Sequence, residues 1–253
     1  MVIVKSPREI ALMKEAGRVV GLVFKTLEKE IKPGMSTLDI DAIVEKVMLE
    51  NDCYPAEKGY EGYPNASCVS VNDVILHGIP SAKQVIRSGD IVSVDIVANY
   101  KGYMADACRT FKVGTITEKA ERLIKVTKDA FFEALKYVVP GGHIGDISEA
   151  IQRYVEAHNY NVTRDYTGHG IGSHMHEDPS IPNYGKAGTG AKIVPGIALA
   201  IEPMVLEGRK DTRVMPDGWT VRSKDGKLTC HYENTVIVTE SGYEIITMYE
   251  GEK

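Results

Sequence analysis

Four acids and one histidine are the candidates for this chain's chemistry: Asp95, Asp106, His169, Glu202 and Glu233. Gathered at one site, four carboxylates and an imidazole hold too much negative charge to stand without cations. They suit two divalent ions with bridging carboxylates. Oxygen-dominated ligation favours Mn, Fe(II) or Co over a zinc site of the thiolate kind. Such a pair of ions activates water at neutral pH and polarises a carbonyl.

The elements that must position these residues begin with the stretch Asp90 to Phe111, DIVSVDIVANYKGYMADACRTF. Ile- and Val-rich residues 91–98, turn chemistry at Asn99-Tyr100-Lys101-Gly102, and a second run from Tyr103 to Val113 predict a β-hairpin. With Tyr100 and Lys101 as its loop, Asp95 faces Asp106 directly, with Cβ atoms about 5 Å apart. Opposed acids among Ile, Val and Ala are costly to ionise. Three arrangements relieve them: one Asp is protonated, the register slips, or a divalent cation bridges both.

An internal repeat organises the rest. At one offset of 107 residues, Phe24 maps to Phe131, Pro33-Gly34 to Pro140-Gly141 and Asp39-Ile40 to Asp146-Ile147, and Asp95 falls on Glu202. Each half reads as two helices followed by strands. The first helix opens at Ser6-Pro7-Arg8-Glu9, a capping box, and runs to about Ile31; the second opens at Ser36 or Thr37. Residues 52–67 read as a long loop and Cys68 to Val71 as a short strand. The second half has helices over Glu118 to Val139 and Ile147 to His158. Its last strand, Leu228 to Thr239, places His231, Glu233 and Thr235 on one face by alternation, with the segment near Trp219-Thr220-Val221 as a candidate hairpin partner. The expected organisation is one domain over 1–253, with repeat units of roughly 8–113 and 115–240. Two related halves with adjoining sheets bring their acids to a shared seam, where ligands tend to bind.

Bulk composition excludes several classes. The 253 residues are 43% hydrophobic and 26% charged, ordinary for a globular protein. A net charge of −5 and the lack of a basic stripe argue against nucleic acid as a substrate. Cys53, Cys68, Cys108 and Cys230 form no CxxC pair, which fits free thiols in a reducing compartment. No signal-peptide core opens the chain, and no run reaches the roughly 18 apolar residues of a membrane span. The expectation is a cytoplasmic protein. The stretch Thr167-Gly168-His169-Gly170-Ile171-Gly172 lets backbone approach something closely, but does not open a helix as phosphate-binding loops do.

The segments SVNDVILHGIP (70–80), DIVSVDIVANYKGYMADACRTF (90–111), GHGIGSHMHEDP (168–179), AIEPMV (200–205) and HYENTVIV (231–238) together resemble the type I methionine aminopeptidases, in their short bacterial form. The resemblance covers nearly the whole chain. It implies an α/β pita-bread fold and removal of the initiator methionine from chains with a small second residue, by a dinuclear metal centre. It implies Asp95, Asp106, His169, Glu202 and Glu233 as ligands, with Glu202 also the general base or proton shuttle. His176 corresponds to the residue that stabilises the carbonyl oxygen, and His77 to one near the scissile amide or amine. Tyr60, Tyr63, Cys68 and Trp219 correspond to the walls of the methionine pocket. A monomer and a transient ribosome contact are further expectations.

The chain departs from the family pattern at three places. Glu57 stands where a small or thiol residue is expected, Met175 where an aromatic is common, and His231 where an amide is frequent. Two other readings compete: an Xaa-Pro dipeptidase or aminopeptidase of the same fold, and a pita-bread module without activity that binds a partner. The Xaa-Pro enzymes usually carry an extra N-terminal domain and a longer interval than the seven positions from His169 to His176. Inactive modules typically lose ligands, and this chain keeps the set.

Overall fold

A computed structural model describes residues 2–252. Helix α1 spans Pro7–Glu30 and α2 Thr37–Leu49. Each opens on a reciprocal cap. Ser6 Oγ accepts from the Glu9 N–H while Glu9 Oε2 accepts from the Ser6 N–H at 2.6 Å, and Ser36 and Asp39 do the same. Met13, Ala16, Val20, Phe24 and Leu27 recur at helical spacing, so α1 buries one stripe against the Ile91–Tyr100/Tyr103–Lys112 hairpin.

In the second half α3 covers Glu118–Leu135 and α4 Ile144–Ala157. Both differ from expectation. α3 stops four residues before Val139. Residues 136–139 tighten into turns, because a residue preceding proline, here Val139 before Pro140, disfavours helical backbone. α4 starts three residues before Ile147, because His143 and Asp146 form its N-terminal cap, 107 residues after Ser36 and Asp39.

The repeat extends to single hydrogen bonds. Gly34 N–H donates to the Ile86 carbonyl at 2.9 Å, and Gly141 N–H to that of Ile193 at 2.9 Å. Gly34 and Gly141 have φ of 97° and 91°, the left-handed backbone glycine tolerates best. Bridges Ser36–Val85 and His143–Lys192 are likewise 107 residues apart. One buried apolar cluster lies under α1 and α2 and a second under α3 and α4.

The first half's sheet is built on Ile91–Tyr100, which pairs antiparallel with Tyr103–Lys112, Cys68–Val71 and Tyr54–Pro55. Tyr54–Pro55 and a 3-10 turn at Tyr60–Gly62 interrupt what the sequence suggests is loop. The second half's sheet has the order Gly242–Ile245, Asn234–Thr239, Ala198–Ile201, Thr167–Gly170, Glu177–Pro182. The two sheets are stitched together where the Glu233 N–H donates to the Cys108 carbonyl at 3.1 Å, and where Thr235 Oγ1 bonds both the N–H and the carbonyl of Asp106 at 2.8 Å.

Two strand expectations are corrected. The C-terminal strand is split into Thr229–His231 and Asn234–Thr239, with Tyr232 and Glu233 between them. Val221–Ser223 is not its hairpin partner. It pairs instead with Thr212–Val214 and Val74–Leu76, and Val221 fills a small satellite core with Ile75, Leu76 and Met204. Thr229–His231 pairs with Met204–Leu206, and Asn234–Thr239 with Ala198–Ile201 and Gly242–Ile245. Alternation fixes which face a side chain takes, but it does not select the partner strand. Among the described residues, no helix is long and apolar enough to cross a membrane.

Candidate metal centre and side-chain pocket

The hairpin register differs from expectation by two residues. Tyr100 pairs with Tyr103, so the loop is Lys101-Gly102, whose φ angles of 51° and 88° are those of a two-residue turn matching strand twist. Asp95 therefore lies across from Cys108, and Asp106 across from Val97. A shift of two preserves the face, so the acids remain on one side as diagonal rather than opposed neighbours.

All five expected metal-ligand residues converge at the seam of the two sheets. Asp106, His169, Glu202 and Glu233 are buried and Asp95 is half-buried. His169 sits in Thr167–Gly170, with Nδ1 2.9 Å from the Gly170 carbonyl. A carbonyl only accepts, so Nδ1 carries the proton and Nε2 presents its lone pair, the tautomer a metal ligand needs. That nitrogen lies 3.6 Å from Asp106 Oδ2 and 3.7 Å from Glu202 Oε1. Ligand atoms of Asp106, His169 and Glu233 fall within 4.8 Å of one another, as do those of Asp95, His231 and Glu233.

Whether these residues fit metal ions is answered by their unmet bonds. Asp95 Oδ1, Asp106 Oδ1 and Glu233 Oε1 are buried without a hydrogen-bond partner among the described residues. A protein does not normally leave several such oxygens unsatisfied within one small volume. Burial pushes the carboxyls of Asp106, Glu202 and Glu233 well above the usual range, and Asp95 up to about 6; neighbouring acids add to the cost at Asp95, Asp106 and Glu233. Burial also pushes His169 down to about 3. Neutral imidazole beside carboxylates that repel one another is a donor set that fits divalent cations.

A cavity of about 260 Å³ opens above the acids. Tyr60, Tyr63, Cys68, His77, His176 and Trp219 line it together with Glu57 and Met175, so every residue expected in the pocket is there. The Tyr63 hydroxyl shares its one proton between the Ser67 and Gly78 carbonyls, each at 3.1 Å. Its ring meets Trp219 edge-on at 5.1 Å. Cys68 pairs with Asp95 across the sheet, and burial holds its thiol well above its ordinary range. His77, with φ of 56°, packs edge-on against Trp219 and Tyr166, and burial pushes it down to about 4. His176 is 2.9 Å from the Tyr60 hydroxyl through Nδ1, and its ring lies 4.4 Å from that of His169. His143 and His158 flank α4, and His174 is exposed.

One residue at the centre is missing from the expected ligands. His231 is 2% exposed, with Nε2 3.3 Å from Glu202 Oε2 and 3.6 Å from Glu233 Oε2. The signal was present in the sequence, since alternation already placed it on the face of Glu233.

The pattern of Metallopeptidase family M24 matches residues 11–240, and the chain belongs to that family. Its relatives narrow the class. The chain is 48% identical over 250 residues to the methionine aminopeptidase of Clostridium acetobutylicum, covering 99% of this chain and 100% of that one. It is 44% identical to methionine aminopeptidase 1 of Bacillus subtilis, covering 98% and 99%. The crystal structure of the Thermotoga maritima methionine aminopeptidase superposes with a TM-score of 0.97 at 44% identity, over 98% of this chain and all of that one. Within the family, then, the chain is a type I methionine aminopeptidase with the pita-bread fold. The prolidase of Pyrococcus furiosus shares the fold, with a TM-score of 0.79 at 24% identity, and this chain covers 66% of it.

Proposed function

We propose that the site removes the N-terminal methionine from peptides and new protein chains by hydrolysing their first peptide bond, with Asp95, Asp106, His169, Glu202 and Glu233 holding two divalent ions. The observation that carries this reading is the set of buried, unpartnered carboxylate oxygens directly beneath an aromatic cavity of side-chain size. When bound, the ions supply Lewis acidity toward the scissile carbonyl and a nucleophile at neutral pH.

The chain's own groups do the rest. The unbranched methionine side chain enters between Tyr60, Tyr63, Cys68 and Trp219, where a polarisable thioether packs well against ring edges. Glu202 is the general base: it takes a proton from the attacking water and delivers it to the leaving amine. With the Tyr60 hydroxyl donating to His176 Nδ1, the His176 proton rests on Nε2 and is available to the carbonyl oxygen as charge develops there. His77, kept neutral by burial, contacts the amide or amine of the substrate. Removing either histidine therefore lowers kcat more than it raises KM.

The finer assignments belong to the same proposal. The ions are Mn, Fe(II) or Co rather than Zn, because the ligand set is mostly oxygen. The second residue of the substrate is small. The chain works as one domain over 1–253, as a cytoplasmic monomer with transient ribosome contact, and takes no nucleic acid or membrane as partner. The test restores metal-free protein with Mn, Fe(II), Co and Zn in turn and compares Met-Ala-Ser with an Ala-Pro peptide. Cleavage of Met-Ala-Ser is expected; faster cleavage of Ala-Pro would replace this reading with the Xaa-Pro one.

A further inference from the structure

We propose that His231 is a sixth metal ligand, so that each of the two ion positions carries its own imidazole: His169 with Asp106, and His231 with Asp95, the two sharing Glu202 and Glu233. The inference rests on the dinuclear reading above and adds a ligand to it.

The geometry is nearly symmetric about Glu202. Its Oε1 lies 3.7 Å from His169 Nε2, and its Oε2 lies 3.3 Å from His231 Nε2. Each imidazole nitrogen also has a second carboxylate oxygen at 3.6 Å, from Asp106 for His169 and from Glu233 for His231. Donor atoms about 2.0–2.2 Å from a common ion are separated by roughly 2.9–3.6 Å, depending on octahedral or tetrahedral angles. Both nitrogens stand at, or within 0.1 Å or so of, that spacing.

Hydrogen bonding does not account for His231. An N–H···O bond spans about 2.7–3.2 Å with the donor aimed at the acceptor. His231 Nε2 exceeds that distance to both carboxylates and is buried without a hydrogen-bond partner among the described residues. Nor is its position an accident of a loose loop. His231 ends the Thr229–His231 strand, pairs with Met204, and has its carbonyl held by the Thr110 hydroxyl at 2.8 Å. A buried imidazole nitrogen without a hydrogen-bond partner among the described residues, held beside Glu202 and Glu233 and grouped with Asp95, is placed to donate its lone pair to a cation. A nitrogen on each ion also moves the preference of the centre along the series from Mn toward Co.

The test is proton NMR of the protein loaded with two Co(II) ions. Each coordinated histidine contributes one solvent-exchangeable, strongly shifted imidazole N–H resonance. Two are expected in the unaltered protein, and one each in His231→Gln and His169→Gln. In calorimetric Co(II) titrations, His231→Gln should bind its weaker ion about tenfold or more less tightly. A single shifted resonance in the unaltered protein with two ions bound overturns the assignment, as does a His231→Gln variant with unchanged affinities and unchanged visible d–d bands. The resonance count in the unaltered protein needs no variant to fold. Failure of the unaltered protein to bind two ions at all would instead overturn the dinuclear reading itself.

Discussion

The loop that carries His176 should depend on one buried ion pair. Lys5 Nζ lies 2.5 Å from Glu177 Oε2, and both side chains are only 3% exposed. Lys5 Nζ also donates to the Ile3 carbonyl at 3.0 Å, and its backbone N–H to that of Gly196 at 2.8 Å. Glu177 Oε1 accepts the His174 N–H at 3.2 Å. Lys5→Met keeps most of the apolar stem and removes the ammonium, which leaves the Glu177 carboxylate buried with a single backbone donor. Breaking such a pair from one side costs about 3–5 kcal/mol, because the remaining charge keeps its desolvation penalty. In a chain of this size, each kcal/mol lowers Tm by about 2–4 °C, so the expected drop is about 6–20 °C by calorimetry on metal-loaded protein. Lys5→Met/Glu177→Met should recover most of that loss, since an apolar pair of similar volume is nearly neutral. Gly172→Ala probes the same contact, because its Cβ would come 2.5 Å from Lys5 Cε and 2.7 Å from Glu177 Oε1. Because Glu177 adjoins His176, the single variant should also lower kcat. A Tm within 2 °C of the unaltered protein, or a double variant that loses the sum of both singles, would refute the reasoning.

Three further outcomes follow from the same geometry. Arg109 lies between the rings of Phe24 and Tyr232 and donates to the Glu233 carbonyl, the Asn234 side chain at 2.6 Å and Glu252 at 2.6 Å; Arg109→Met should cost about 3 kcal/mol or more and weaken metal binding measured by titration. Chelation of the ions should lower Tm by about 5–11 °C if the loaded state was prepared at a hundredfold excess over Kd, worth about 2.7 kcal/mol; an unchanged melt would mean the acids hold nothing. Burial pushes the Cys53 thiol up to about 11, above the roughly 8.5 of an unfolded chain. Its contribution is therefore full below the unfolded thiol's pKa and lost as pH rises through about 11. Cys53→Ala should show a shallower alkaline fall in Tm over that window, and an equally steep fall would contradict it.

Much of the frame was legible because local chemistry specifies it. The cap at Ser6, the end of the first helix near Ile31 and the start of the second at Ser36 need only neighbouring residues, and the structure places them as read. The hairpin register was off by two because Asn99-Tyr100-Lys101-Gly102 offers two plausible loops. Lys101-Gly102 is the one realised, and glycine at its second position is what that turn type asks of the chain. The error did not move a side chain to the wrong face, since the pleat has a period of two. What stayed hidden was long-range pairing: nothing near Val221 says that its partners are Thr212–Val214 and Val74–Leu76.

The acids were legible for a different reason from the helices. Asp95 is improbable in a run of Ile and Val unless something offsets its burial; the hairpin alone leaves a proton, a register slip or a cation as that something, and the rest of the chain favours the cation. Glu202 and Glu233 are less conspicuous locally. Glu202 follows the Ala198–Ile201 strand, and Glu233 fills the break between Thr229–His231 and Asn234–Thr239. There the chain leaves the ladder, and the Glu233 N–H turns to the Cys108 carbonyl of the other sheet. A continuous Leu228–Thr239 strand would have spent that N–H within its own sheet. The interruption the sequence reading did not anticipate is therefore the feature that joins the halves, and it brings His231 and Glu233 into one cluster with Asp95.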